Sequence, residues 1–262
     1  MIANAESDKA TNLTAHLTEL RDRLLRFLVA MLISTLCLMP FSQDIYSLVA
    51  APLLQYLPEG GSMIATEVTS TFMAPLKLVL CTAFALSIPV FLYQLWGFIS
   101  PGLYRKEQYL GIPLLISSVL LFYIGIAFAF YVVFPLVFSF FSSATPAGVS
   151  YTPDISLYLN TVLKLFLAFG LTFEIPIATV LLITSGITSR KALSEKRPYI
   201  ILACFVVGMV LTPPDIISQA LLAVPMIMLF ELGLLFSLLI KIKHAVSKKP
   251  LFHLYLQHAG LQ

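Results

Sequence analysis

Long apolar runs separated by short polar stretches make up most of the chain. A helix needs about 20 predominantly apolar residues to cross the hydrocarbon core of a bilayer. The runs that approach or exceed this length cover roughly residues 24–41, 72–96, 110–138, 158–183, 198–211 and 216–240. The pattern therefore predicts an all-α, polytopic membrane protein with six transmembrane helices.

Two of the predicted spans have unusual lengths, and several contain prolines. The third, 110–138, is longer than a bilayer requires and should tilt or protrude. The fifth, 198–211, has 14 residues, which extend about 21 Å against a hydrocarbon core of ~30 Å. Each proline inside a span removes a helical hydrogen bond, and these prolines are Pro89, Pro113, Pro135, Pro176 and Pro225. We therefore expect kinked helices and a bilayer that thins beside the short span.

The segment before the first span has a different pattern. Its apolar residues recur at helical spacing, at Leu13, Leu17, Leu20, Leu24 and Phe27. Charged residues share the remaining surface, so 1–23 is predicted to be a cytoplasmic amphipathic segment leading into a six-span bundle over 24–240. A basic cytoplasmic tail, 241–262, follows, and we expect residues 1–262 to form a single membrane domain. No cleavable signal peptide is expected, because 1–23 contains acids and lacks a short apolar core.

Most lysines and arginines lie in alternate polar stretches, and the two exceptions, Lys77 and Lys164, lie near the outer ends of the second and fourth spans. Of the 16 in the chain, 14 lie before the first span, between the second and third, between the fourth and fifth, or after the sixth. The predicted loops on the other side, 42–71, 139–157 and 212–215, contain none. Positive charge is retained on the cytoplasmic side of a membrane. The chain is therefore predicted to be a multi-pass protein of the bacterial inner membrane, with both termini in the cytoplasm.

Composition limits the possible functions. Apolar residues make up 59% of the chain and charged residues 11%, whereas a soluble domain has about a quarter charged residues. The net charge of +3 gives no indication of nucleic-acid binding. The three cysteines lie in apolar runs without metal or disulfide spacing, and the sequence has no phosphate-binding glycine loop. All four histidines lie outside the spans. We therefore expect no enzyme, no metal and no other cofactor.

Two acids lie inside predicted spans. Glu174 interrupts the fourth, and a carboxyl group near mid-membrane costs roughly 2.5–3.5 kcal/mol on insertion scales. It is either a protonated or hydroxyl-bonded structural residue, or a polar site that meets a partner helix or water. Glu231 lies near the cytoplasmic end of the sixth span, where its side chain should reach towards water.

Three further acids lie between the spans. Asp215 follows two prolines in the last outer turn and is interpreted first as the N-cap of the sixth span. Glu19 and Glu107 lie on cytoplasmic segments by the charge distribution. Spacing alone favours a structural interpretation of both, with Glu19 pairing with Arg23 at i,i+4 and Glu107 solvated in its loop.

Four stretches resemble motifs of the TatC family, and they occur in the same order. They read HLTELRDRL at 16–24, FISPGLYRKE at 98–107, FGLTFEIP at 169–176 and LTPPD at 211–215. The resemblance extends over about 13–239, and four motifs in register make it specific. TatC is the large polytopic subunit of the twin-arginine translocase, so the resemblance implies a signal-peptide receptor and core subunit that moves folded proteins across the inner membrane.

The resemblance also implies partners. TatC-like proteins receive folded precursors whose signal peptides carry two consecutive arginines, and they work with the single-span proteins TatA and TatB. They lie in membrane lipid, assemble with further copies of themselves in a receptor complex and draw on the proton-motive force. The alternative is a proton-coupled secondary transporter of a small solute, which predicts internal repeats around a midplane site. The chain has no such repeat. A passive membrane scaffold is a third possibility, and it predicts that Glu19 and Glu107 can be changed freely.

The family's site residues carry over position by position. Glu19 and Glu107 match acidic positions of signal-peptide recognition, and Arg21 and Phe98 lie in the same motifs. The other matches are Glu174, at the membrane-embedded acid that could meet a partner, and Pro52 and Asp215, at outer-side positions important for transport. The family implies neither metal nor nucleotide.

Overall fold

The computed structural model describes residues 2–54, 63–99, 111–143, 145, 152–211 and 216–258, without the side chains of 2–16, 52, 53, 99, 218 and 239–258. Apart from one isolated parallel bridge, the regular elements of these residues are helices. They are α1 (Ile2–Leu38), α2 (Ser42–Leu54), α3 (Ser70–Ile99), α4 (Gly111–Phe128), α5 (Phe134–Ser143), α6 (Ile155–Thr172), α7 (Ile175–Thr184), α8 (Arg190–Glu195), α9 (Arg197–Leu211) and α10 (Ile216–His258). The all-α prediction is confirmed.

The helices also confirm the predicted spans. Segments long and apolar enough to cross a membrane are Leu17–Ala51, Ser70–Phe98, Gly111–Ser143, Ile155–Thr184 and Gln219–Leu238. The predicted fifth span forms α9, a shorter apolar helix of 15 residues. At 1.5 Å per residue, α9 extends about 22 Å, less than the ~30 Å of a hydrocarbon core. Its chain neighbour α8 ends at Glu195, so α9 is not extended beyond Arg197.

The first span is longer than predicted. Its expected end at Phe41 is instead a single 3₁₀ turn, Met39–Phe41, after which α2 continues to Leu54. Pro40 is one of the first two residues of this turn, where its missing N–H breaks no hydrogen bond. The proline therefore does not end the helical segment, and part of the predicted 42–71 loop is helical.

Prolines act according to their position in each helix. Pro113 lies in the first turn of α4, where N–H groups have no helical acceptor, so the interruption expected there is absent. Pro135 follows a π-helical segment, Ala129–Val133, closed by a bond from the N–H of Phe134 to the carbonyl of Ala129. This wider turn accommodates Pro135, which has no N–H to donate to the preceding turn.

The chain divides into two compact units, Met1–Leu171 and Thr172–Gln262. In the first, α1 and α2 pack against α3, and α3 packs against α4. Ile88 and Leu92 of α3 form a buried cluster with Phe122 of α4. Gly170 of α6 also faces Phe122, because a Cβ there would lie 2.7 Å from its ring. The prediction of a single membrane domain over 1–262 stays a prediction.

In the second unit, α10 packs against α7 and α9. Cys204 of α9 is buried with Ala223 and Met226 of α10. Gly233 allows α10 to approach α7, since a Cβ there would lie 2.9 Å from the Cα of Pro176. Helix α7 ends at Thr184, and Gly186, which follows the C-cap residue Ser185, has a φ of 73° that permits the chain to reverse after the last turn.

Candidate functional site

A cavity lies between the first helix and the third. Phe27 of α1 packs edge-to-face on Phe84 of α3, with ring centroids 5.9 Å apart, and tilted on Phe91 at 5.1 Å. These aromatic contacts hold α1 against the C-terminal half of α3. The cavity is lined by Leu20, Arg23, Leu24, Phe27, Phe91, Gln94, Leu95 and Phe98. Its walls are therefore mainly apolar, with one guanidinium and one amide.

Arg23 connects the two helices at this cavity. Its Nε and NH2 donate to Oε1 of Glu19 at 3.0 and 2.6 Å. Its NH1 donates to the main-chain carbonyl of Gln94 at 3.1 Å. A Cβ at position 97 would lie 2.2 Å from NH1, so Gly97 leaves the space that the guanidinium occupies. The i,i+4 pairing of Glu19 and Arg23, considered above as the structural alternative, is thus present.

Glu19 remains accessible despite this pair. Its side chain is 44% exposed, against 22% for Arg23, and no described residue donates to its second oxygen, Oε2. Arg21 projects elsewhere, and its guanidinium pairs with Asp22 at 2.9 Å in an exposed position. The structure therefore brings Glu19 and Phe98 to one cavity, through Arg23, and leaves Arg21 beside it. Glu107, the second predicted acid, lies outside the described residues.

Gln94 adds a buried acceptor to the cavity wall. Its Oε1 is buried and accepts no hydrogen bond from the described residues. A buried amide oxygen without a donor is destabilising by about 1–3 kcal/mol. A donor group that entered the cavity would therefore find the buried amide oxygen of Gln94, while the exposed carboxylate of Glu19 lies on the other side of Arg23.

Glu174 occupies a break within the fourth span. It precedes α7 as the N-cap residue, and its main-chain carbonyl accepts the N–H of Ala178 at 2.9 Å. The break arises because Pro176 has no N–H for the carbonyl of Thr172. The side chain of Glu174 is half-buried, and its Oε1 is shielded from solvent. A buried carboxyl oxygen at a helix break fits either interpretation of this acid.

The two predicted outer-side residues are only partly visible. Pro52 lies in the last turn of α2, but its side chain is outside the described part of the structure. Asp215 is outside the described residues altogether. Its predicted role as the N-cap of α10 therefore stays a prediction.

Asp154, which was not singled out in the sequence, accepts four hydrogen bonds. Its Oδ1 accepts the N–H groups of Ser156 and Leu157 at 2.8 and 3.0 Å, which caps α6. Its Oδ2 accepts the N–H and hydroxyl of Thr66 at 3.0 and 2.7 Å. The bridge between Ile64 and Asp154 runs alongside. We call this arrangement the Asp154 clasp.

Hydrogen bonding in the clasp sets the charge of Asp154. The Thr66 hydroxyl, followed by the N–H groups of Leu157, Thr66 and Ser156, lowers the pKa of Asp154 to about 2. A sequence signal existed, because Pro153-Asp154-Ile155 repeats the Pro-Asp-Ile pattern of Pro214-Asp215-Ile216.

Glu231 is paired rather than free in water. Arg197, at the start of α9, donates Nε to one of its oxygens and NH2 to the other, both at 2.7 Å. This two-bond geometry matches the fork of a guanidinium to both oxygens of a carboxylate. Among the described residues, no three histidine, cysteine or acidic side chains cluster as metal ligands.

Comparisons with known proteins agree with the arrangement of helices and motifs. The model of the TatC family, described as Sec-independent protein translocase protein (TatC), matches residues 15–225. The Sec-independent protein translocase protein TatC of Azotobacter chroococcum is 58% identical over 236 residues, covering 90% of this chain and 92% of that protein. TatC of Escherichia coli K12 is 55% identical over 225 residues, covering 86% and 87%.

A solved structure shows the same fold. The crystal structure of the twin-arginine translocase receptor TatC superposes with a TM-score of 0.77 at 36% identity, covering 86% of this chain and 98% of that one. The chain is a multi-pass membrane protein with a protein-transport function, and it belongs to the TatC family of Sec-independent protein translocase proteins.

Proposed function

We propose that this chain receives twin-arginine signal peptides at Glu19 and Glu107, on the cytoplasmic side of the inner membrane, and forms the core of a translocase for folded proteins. The observation that carries the proposal is the half-exposed carboxylate of Glu19, whose Oε2 accepts no hydrogen bond from the described residues, next to Arg23 of an apolar cavity. A guanidinium is the cation that best matches a carboxylate. The solved relative is itself named a twin-arginine translocase receptor.

The cavity supports a peptide ligand that is both cationic and apolar. A signal peptide carries a positively charged segment followed by an apolar one. Glu19 offers the carboxylate, and the neighbouring wall of Leu20, Leu24 and Phe98 offers apolar surface. Such a ligand would bury apolar area while its arginines remain at the exposed rim. A small polar solute would use little of this surface, and the translocase family favours protein transport over the solute-transporter alternative.

The remaining parts of the proposal concern orientation and partners. The distribution of lysine and arginine supports an orientation with both termini in the cytoplasm, the side from which precursors would arrive. Glu174, Pro52 and Asp215 are assigned to contacts with TatA- and TatB-like proteins or to transport across the outer side. Transport draws on the proton-motive force, and several copies assemble in the receptor complex. The short α9 supports local thinning of the bilayer, which would ease the passage of bulky cargo.

The test is the affinity of the purified protein, in lipid nanodiscs, for a synthetic signal peptide containing two consecutive arginines. Glu19→Ala and Glu107→Ala should each weaken binding about 10- to 100-fold, since a hydrogen bond to a charged group contributes ~1.5–3 kcal/mol. The double variant should bind more weakly still. A peptide with two lysines serves as the ligand control, because an ammonium cannot form the two-bond pairing.

Asp44→Ala is the matched protein control, since Asp44 is an exposed acid on α2. It should bind the Arg-Arg peptide as tightly as the parent chain. Parental affinity in both Glu19→Ala and Glu107→Ala would mean that these acids are solvated surface, and the receptor assignment would then fail.

A further inference from the structure

We propose that Arg23 is an internal competitor for Glu19, which a signal-peptide arginine must displace in order to bind. The inference rests on the proposed function, because it concerns how the same site is regulated. Arg23 already supplies the chemistry that an incoming arginine would supply, a guanidinium donating to the carboxylate of Glu19. In the unliganded site, a residue of the same chain therefore occupies one oxygen of this carboxylate.

The pair has the geometry of a contact that can be exchanged. Both donors of Arg23 converge on Oε1 of Glu19, whereas Arg197 in the same chain engages both oxygens of Glu231. The fork of Arg23 is therefore not matched to both oxygens, and within the described part of the chain Oε2 has no donor, so a second guanidinium could bind there. A half-exposed ion pair of this kind contributes little to stability, so its replacement by an equivalent pair is nearly neutral.

Arg23 also has a place to remain after displacement. Its NH1 donates to the carbonyl of Gln94 on α3, independently of Glu19. Gly97 provides the space for this contact, since any Cβ there would meet NH1. The guanidinium can thus stay bonded to α3 while Glu19 turns to a ligand. Its positive charge then remains in the space beside Gly97.

The ion pair between Arg23 and Glu19 changes the net charge that a ligand meets at this site. With Arg23 in place, the carboxylate of Glu19 is neutralised, and the neighbouring Arg21 is neutralised by Asp22. Stray cations then find no net negative charge on this part of α1. A competitor lowers the affinity of every ligand that displaces it by the same factor. Arg23 would therefore set the affinity threshold of the site and leave the ratio between competing ligands unchanged.

The experiment measures the affinity of the full-length protein in nanodiscs for the Arg-Arg peptide and the Lys-Lys peptide. Arg23→Gln should bind both peptides more tightly, by about 2- to 5-fold, the contribution of one partly exposed ion pair. The ratio of the two affinities should stay constant within about twofold. Gly97→Ala keeps both charges and only displaces the guanidinium from the space beside Gly97. It should therefore increase the affinity for both peptides, by less than Arg23→Gln does.

Arg26→Gln is the matched control, because it removes one exposed positive charge from the same helix. It should change the affinity less than Arg23→Gln does. Glu19→Gln is measured in parallel to separate the two hypotheses. If Glu19→Gln weakens binding while Arg23→Gln weakens it too or leaves it unchanged, Arg23 positions Glu19 and the competitor hypothesis is wrong, although the receptor function stands. If Glu19→Gln has no effect, both are wrong.

Discussion

Asp154 and Glu19 are carboxylates at contacts between segments far apart in sequence, Asp154 directly and Glu19 through Arg23, yet their surroundings differ. Asp154 is 8% exposed and accepts four hydrogen bonds, two on each oxygen. Glu19 has a side chain that is 44% exposed and accepts two hydrogen bonds, both on one oxygen and both from one arginine. A saturated, buried carboxylate holds structure together, whereas an unsaturated, exposed one is available to a ligand.

The largest expected effect is on folding stability, and it tests the comparison directly. Asp154→Ala removes the N-cap of α6 and the acceptor for both groups of Thr66, which leaves several polar groups without a partner. Glu19→Ala removes one exposed ion pair and should cost less than about 1 kcal/mol. We expect the apparent melting temperature in detergent to fall clearly for Asp154→Ala and hardly for Glu19→Ala. Equal losses would break the comparison.

Lowering the pH should test whether the ionised form of Asp154 stabilises the clasp. The pKa of Asp154 lies at about 2, below the ordinary value of an aspartate. A depressed pKa contributes stability that is fully present above about pH 4 and is lost as the pH falls through about 2. Asp154→Asn keeps a capping side chain but has no such charge. The difference in melting temperature between parent and Asp154→Asn should therefore shrink between about pH 6 and about pH 2.5. A constant difference would show that the ionised form is not what the clasp requires.

Salt should act mainly on the exposed acid. The Debye length falls from about 10 Å at 0.1 M to about 3 Å at 1 M salt, so contacts at an exposed carboxylate are screened. The affinity for the Arg-Arg peptide should fall several-fold between about 0.05 M and about 0.5 M salt. The destabilisation caused by Asp154→Ala should stay nearly constant over the same range. A salt-independent affinity would indicate that apolar contacts in the cavity, rather than Glu19, dominate binding.

Much of the fold could be predicted because membrane helices are long apolar runs, which are readable without tertiary contacts. The short α9 was predicted in the same way. The end of the first span was placed too early, at Phe41, because the helical segment continues to Leu54 after a 3₁₀ turn in which Pro40 breaks no hydrogen bond. Pro113 was expected to interrupt its helix, but it lies in the first turn, where no helical hydrogen bond is lost.

The site was less readable because it depends on contacts across the chain. The i,i+4 spacing of Glu19 and Arg23 is visible in the sequence, and the family motifs identify Glu19 and Phe98. Nothing in the local sequence indicates that the guanidinium of Arg23 bonds to the carbonyl of Gln94, which lies 71 residues further along the chain. The local sequence also does not show that this contact requires a glycine at position 97. In the same way, capping logic could have found Asp154 before α6, but its contact with Thr66 depends on how the loops meet.

The smallest expected effect concerns a second contact beside the Asp154 clasp. The hydroxyl of Ser156 donates to the hydroxyl of Ser70 at 2.9 Å, which joins the first turns of α6 and α3. Ser156→Ala removes this bond but keeps the main-chain N–H that caps onto Asp154. The expected loss is about 0.5–1.5 kcal/mol, the net contribution of an ordinary hydrogen bond. Thr161→Ala on the same helix is the control, since its hydroxyl bonds only the local carbonyl of Leu157. If Ser156→Ala lowered the melting temperature as much as Asp154→Ala, the hydroxyl pair rather than the saturated carboxylate would hold these loops, and the contrast with Glu19 would lose its physical basis.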